Sequence, residues 1–272
     1  MTETKQQAAF FDLDKTIISK SSSLALGRPM YRAGLVTRSQ LLRGAYAQMV
    51  YILLGADEKR MDRVKDGLLA LTKGWDRQQV EDLVREAIEE VVDPYIYQEA
   101  LDLMALHGAL GRKVYVVSSS PEEIVGPLAE RLGAHGVLAT RAEIVDGKYT
   151  GQLEFYCYGP EKAEALRELA ETEDIDLSQS YAYSDSATDI TMLEAVGHPV
   201  AVNPDRDLRK VAVKRGWQIR DFRRPVRMRQ RIPMGRPTPS VTAMAAAAVV
   251  AAVFGWVYIR PRLARLAGRR AA

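Results

Sequence analysis

Four consecutive apolar residues, Ala8-Ala9-Phe10-Phe11, stand between polar neighbours and predict a short buried strand, followed by the turn-like run Ser19-Lys20-Ser21-Ser22-Ser23. From Leu24 to Val92 the pattern changes to helical spacing. Leu41, Leu42, Ala45, Met49, Ile52 and Leu53 recur on one stripe, as do Val64, Leu68 and Leu71, and then Val80, Leu83, Val84, Ala87, Ile88 and Val91. This stretch is expected to be several helices packed as a unit. Beyond it, Leu101 to Leu110 reads as helix and Val114 to Val117 as a buried strand. Pro121, followed by Glu122 and Glu123, starts a helix running to Gly133. Val137 to Ala139 predicts a strand, and Ala142 to Val145 and Tyr149 to Phe155 flank an Asp146-Gly147 hairpin turn. Helices at 160–171, 187–195 and 205–215 then alternate with strands at 181–183 and 200–202.

Alternation of strands and helices predicts an α/β fold, a doubly wound parallel sheet with helices on both faces. The first strand then pairs with strands beyond the helical block, which is an insertion. The expected division is a catalytic core over 1–19 and 95–222, the helical block over 20–94, a basic linker over 223–240, an apolar helix over 241–259 and a basic tail over 260–272.

Composition narrows the function classes. With 47% apolar and 27% charged residues in 272, wholesale disorder and a polytopic membrane protein are excluded. The single cysteine, Cys157, forms no internal disulfide and no Cys-rich metal site, and the apolar run Ala8 to Phe11 leads straight into Asp12 without the form of an export signal, so a cytosolic body is expected.

Charge is unevenly spread. Arg220 to Ala272 carries 12 arginines and one acid, while the upstream body has 26 basic and 34 acidic residues. The basic tail lacks the aromatic interleaving that stacks on bases, so no nucleic acid partner is expected. It is interrupted by Val241 to Ile259, 19 residues without a charge. At ~1.5 Å per residue such a helix approaches the ~30 Å apolar thickness of a bilayer. Seven of the 19 are Ala, which also suits a soluble or interfacial helix, but Trp256, Tyr258 and flanking arginines favour a single span. The expectation is a protein tethered at the cytosolic face of a membrane.

The chemistry falls at strand ends, where open α/β sheets bind ligands. In order these are Asp12-Leu13-Asp14-Lys15-Thr16, Ser118, Lys162 and Asp185-Ser186-Ala187-Thr188-Asp189. Alternation along the strand lets Asp12 and Asp14 address one pocket while Leu13 points elsewhere. Several carboxylates in one cleft repel each other unless a cation neutralises them, and oxygen-only ligands suit Mg²⁺. Such an ion with the Lys162 ammonium suits a phosphate dianion, and a carboxylate can act as a nucleophile on phosphorus.

These residues resemble the motifs of haloacid dehalogenase superfamily phosphatases, in the phosphoserine phosphatase-like branch whose helical cap follows the first motif. The resemblance spans Ala8 to Phe222. Asp12, Asp14 and Thr16 match DxDxT, Ser118 the second motif, Lys162 the third, and Asp185 and Asp189 the DxxxD pair. The resemblance implies that Asp12 is the nucleophile and Asp14 the general acid and base. It also implies that Thr16, Ser118 and Lys162 bind substrate, that Mg²⁺ is held by Asp12, Asp14 and Asp185, and that Asp189 orients the metal shell.

Two departures bear on substrate: Ser19-Lys20-Ser21-Ser22 stands where phosphoserine phosphatases carry a Glu for the substrate ammonium, and Ser119-Ser120 stands where they carry Gly-Gly. The expected substrate is therefore a metabolite or lipid phosphomonoester other than phosphoserine. The alternative, a membrane-tethered non-hydrolytic binding module on the same fold, has no need of a paired nucleophile and acid. His107, His135 and His198 lie away from the motifs and read as surface or structural residues, Cys157 as packing, and Arg32, Arg38 and Arg43 as solvated charges.

Overall fold

A computed structural model describes residues 5–40, 42, 66–67 and 69–223. The strands β1 (Ala8–Asp12), β2 (Lys113–Pro121), β3 (Gly136–Val145), β4 (Lys148–Phe155), β5 (Tyr181–Ser184), β6 (His198–Val202) and β7 (Gln218–Arg220) form one sheet. Their order is β4-β3-β2-β1-β5-β6-β7. The central strand β1 pairs in parallel with β2, Ala8 opposite Lys113, and with β5, Ala9 opposite Tyr181. All five of its residues are buried, which is why it reads as a continuous apolar run rather than an alternation.

Eight α-helices have both ends among the described residues: α1 (Ser22–Ala25), α2 (Gly27–Arg32), α3 (Arg77–Val91), α4 (Gln98–Ala109), α5 (Glu122–Arg131), α6 (Pro160–Thr172), α7 (Ile190–Glu194) and α8 (Arg206–Arg215). The two faces of β1 separate two cores. Ala9 and Phe11 pack with Val84 and Ile88 of α3, Leu103 of α4 and Val125 and Leu128 of α5. Ala8 and Phe10 pack with Leu166 of α6, Met192 and Leu193 of α7 and Leu208 of α8. Helices therefore cover both faces, as the alternation of elements predicts. Phe11 stacks on Tyr183 with ring centres 4.3 Å apart, joining β1 to β5.

Several expectations need correction. The sheet is not wholly parallel: β4 pairs antiparallel to β3, because the Asp146-Gly147 turn returns the chain directly. Val137–Ala139 and Ala142–Val145 are one strand, carried past two register irregularities. β7, three residues with two polar ones, has no apolar run to announce it. The helix expected over 187–195 is a 3₁₀ turn, Ala187–Asp189, followed by α7. α3 does not belong to a self-contained helical unit, since its stripe of Val80, Val84, Ala87 and Ile88 joins the core that includes α5.

The two connections to the helical block run side by side: Ser19 N–H donates to Tyr95 O at 2.8 Å and Tyr97 N–H to Ile17 O at 2.9 Å. The helix expected over Leu41–Leu53 falls largely outside the described residues, as do the linker beyond Arg223, the apolar run Val241–Ile259 and the basic tail, whereas of the one expected from Val64 to Leu71 the described residues 66–67 and 69–71 are helical. Among the described residues no helix is long and apolar enough to cross a membrane.

His107 is structural. It is buried in α4, where Arg112, a donor only, stands 3.3 Å from Nδ1, so Nε2 carries the proton toward Tyr183 Oη at 2.7 Å. Burial, and then the charges of Arg112 and Arg220, push its pKa down to about 4.

Candidate active site

β1 ends in Asp12, only 7% exposed, and the chain leaves the sheet there. Leu13 turns into the core, and its carbonyl accepts from both Ile17 and Ile18 N–H, closing a turn. Lys15 takes the left-handed conformation at φ 64° that this turn requires, an uncommon one for a side chain with a Cβ. Asp14 remains partly exposed, its Oδ1 accepting from Ser22 N–H at 2.9 Å. Thr16 is fully enclosed, and its Oγ1 is buried without a hydrogen-bond partner.

Ser118 lies on β2 one residue past Val117, which is paired with Asp12. The register between β2 and β3 shifts between Ser118 and Pro121, an irregularity of the kind that re-aims side chains. Ser120 N–H donates to Ser118 Oγ at 3.1 Å, leaving the Ser118 hydroxyl proton uncommitted to that bond.

Lys162 enters from the first turn of α6. Gly159, at φ 60° and ψ −126°, supplies a backbone turn that favours glycine, and Pro160 starts the helix. The ammonium of Lys162 lies 2.7 Å from Asp12 Oδ1 and 2.8 Å from Asp189 Oδ2, and all three side chains are buried. Ser184 Oγ donates to the same Asp189 oxygen at 2.7 Å. Asp185, just past β5, is 7% exposed and has Lys15 Nζ 4.0 Å away.

Burial dominates the electrostatics. It pushes Asp12 up to about 7 against the opposing pull of Lys162, and it pushes Asp185 up to about 8 with Asp12 adding repulsion. Burial also raises Asp14, opposed by the hydrogen bonds from Ser22 and Ser21. For Lys162 burial works against the charge, but Asp12 and Asp189 outweigh it and hold the ammonium protonated.

This donor chemistry fits a hard cation. Asp12 and Asp185 are buried carboxylates that disfavour each other's charge, and Lys162 is already shared between Asp12 and Asp189. Asp12 and Asp185 could together hold a dication, whose charge would relieve that repulsion. Among the described residues no three His, Cys, Asp or Glu side chains form a ready cage, in keeping with a fourth acid, Asp189, that faces Lys162 instead.

The structure thus joins Asp12, Lys162 and Asp189 directly, links Asp14 to Ser22, and sets Ser118 and Asp185 beside the neighbouring strand ends. Sequence reasoning passed over three further residues. Ser22 and Ser120 fell within serine runs read as a turn and as a departure from glycine. Ser184, which holds Asp189, is the last apolar-strand neighbour before the acidic pair, and no spacing rule marks it.

Residues 9–194 match the family described as haloacid dehalogenase-like hydrolase. The chain belongs to that family. It is 53% identical over 243 residues to a probable phosphatase of Mycobacterium tuberculosis, covering 89% of this chain and 83% of the relative. It is 52% identical over 258 residues to a Streptomyces azureus protein described as inhibiting morphological differentiation, covering 94% and 93% of the two chains. A solved phosphoserine phosphatase, captured as an analogue of its phospho-aspartyl intermediate, shares the fold with a TM-score of 0.59 and 22% identity over 82% of this chain and 97% of that one. This haloacid dehalogenase-like hydrolase is a phosphatase by its family and relatives.

Proposed function

We propose that the protein hydrolyses a phosphomonoester through an aspartyl-phosphate formed on Asp12, with Mg²⁺ as cofactor. The observation that carries this reading is the buried Asp12 at the end of β1, one carboxylate oxygen tied to Lys162 at 2.7 Å. A carboxylate held at one oxygen presents the other as a nucleophile in fixed orientation.

In the first step Asp12 attacks phosphorus and the bond to the ester oxygen breaks, while Asp14 gives its proton to the departing alkoxide. A carboxyl whose pKa is raised by burial suits that duty. In the second step Asp14 takes a proton from water, which attacks the phosphorus, and the bond to Asp12 breaks to release inorganic phosphate. Lys162 and Ser118 bind phosphoryl oxygens, and Asp189 with Ser184 keeps Lys162 in place. Asp12, Asp185 and the Asp14 backbone carbonyl would hold Mg²⁺, with Asp189 orienting its surroundings through Lys162. When bound, the ion supplies charge stabilisation to the transferring phosphoryl group.

The substrate class follows from what is missing. Ser21 stands where an ammonium-binding acid would be and carries no charge, so an amine-free phosphomonoester, metabolite or lipid, is the proposed substrate. What supports a membrane tether on the cytosolic side is the uncharged run Val241–Ile259 with arginines on both flanks. The test is hydrolysis of a phosphomonoester panel that includes phosphoserine and lipid phosphates in detergent, with Mg²⁺ and with chelator. Mg²⁺-dependent turnover with phosphoserine among the poor substrates is expected. No turnover of any ester with Mg²⁺ would favour the non-hydrolytic binding module.

A further inference from the structure

The two ends of a serine network reach opposite sides of the reaction. Ser22, fully buried at the start of α1, donates its backbone N–H to Asp14 Oδ1 at 2.9 Å. Its hydroxyl lies 3.0 Å from that of Ser120 on β2, which is also buried. Ser120 in turn donates its N–H to Ser118 Oγ at 3.1 Å. The group assigned to proton transfer and the group assigned to the phosphoryl oxygens are therefore connected through two serines from different elements, Ser22 where the chain leaves the core and Ser120 within the irregularity in β2.

This arrangement fixes the Asp14 carboxyl. The backbone N–H of Ser22 holds Oδ1 in place, and with it the orientation of the whole carboxyl group. Ser22 can impose this only if it is itself immobile. α1 is four residues long and offers little rigidity of its own, whereas the hydroxyl pair pins Ser22 to the central part of the sheet.

We propose that Ser22, braced by Ser120, is a positioning residue that holds the Asp14 carboxyl in the orientation its acid duty requires. The inference rests on the phosphatase reading above. Positioning of an acid matters only where the leaving group needs a proton. Alkyl phosphates depart as strongly basic alkoxides and need it, whereas dinitrophenyl phosphate departs as a stable phenolate and does not.

The experiment measures kcat/KM, which covers the steps through transfer to Asp12, for an alkyl phosphate and for dinitrophenyl phosphate with Mg²⁺ present. Wild-type turnover of both, absent in Asp12→Asn, establishes the reading on which the inference rests, and wild-type failure on both overturns the reading and the inference together. For Ser22→Ala the expected result is a loss of about tenfold or more on the alkyl ester with a change within about twofold on the dinitrophenyl ester. Ser120→Ala, which alters a different element, should show the same selectivity even if Ser22→Ala does not fold. Equal losses on the two esters, or no loss on either, in the folded variants would overturn the inference while leaving the phosphatase reading intact.

Discussion

Lys162 and Asp12, 150 positions apart in the chain, meet at 2.7 Å in the interior, and the lysine side chain is only 3% exposed. Asp189 completes the group at 2.8 Å from the same nitrogen. One cation thus compensates two buried anions, and the three positions are not equivalent under substitution.

Lys162→Met should leave both acids buried without a compensating cation. Removing one member of a buried ion pair typically costs about 3–5 kcal/mol. Asp12→Asn should cost much less, because Lys162 keeps Asp189. Urea denaturation in chelator checks this, and a Lys162→Met protein as stable as wild type would show that the acids neutralise by protonation without penalty.

The metal account predicts that chelation removes activity and that Mg²⁺ restores it. Asp185→Ala should raise the Mg²⁺ concentration for half-maximal rate by about tenfold or more, since it deletes an anionic oxygen ligand. Full activity in excess chelator would contradict the reading of Asp12 and Asp185 as a cation site.

How much of this was readable in the chain depends on the scale of the signal. β1 was legible because a strand buried on both faces is a continuous apolar run ending abruptly in Asp12, and the position of Lys162 was legible because Gly159-Pro160 announces a helix start. β7 was not, since an edge strand of Gln218, Ile219 and Arg220 buries too little to leave a pattern. The role of α3 was hidden for another reason: its apolar stripe shows that it packs but not against what, and only the structure sets it beside α5. Within the site the charged residues were visible as motifs, whereas the neutral hydroxyls that position them, Ser22, Ser120 and Ser184, resemble ordinary turn residues.

His107 gives a pH signature separate from catalysis. Its pKa is pushed down to about 4 in the folded protein, against about 6.5 for the unfolded chain. Below pH 6.5 the unfolded chain takes up a proton that the native one does not, so the stabilising contribution is complete above that pH and is lost as pH falls toward 4. Relative to His107→Gln, wild type should therefore lose about 2–3 kcal/mol of stability between pH 7 and pH 4.5. A stability difference independent of pH would show that the imidazole titrates alike in the folded and unfolded chains.

A chain ending at Arg223 should remain folded and active on aryl phosphates. Phe222 is anchored, its N–H donating to Asn203 Oδ1 at 2.8 Å and its carbonyl accepting from Asn203 Nδ2 at 3.2 Å, and every site residue lies upstream. The full chain should sediment with membranes and resist a high-salt wash, because an inserted apolar helix is insensitive to screening. Release by salt alone would replace the spanning helix with an electrostatic contact.

The most direct test of the central claim is to quench the enzyme in acid during turnover of a radiolabelled phosphomonoester and locate the label. The account predicts a protein-bound phosphate released by hydroxylamine, as an acyl phosphate is, mapping to the peptide that contains Asp12 and absent from Asp12→Asn. Turnover with no labelled protein at any quench time, or label retained in Asp12→Asn, would contradict it.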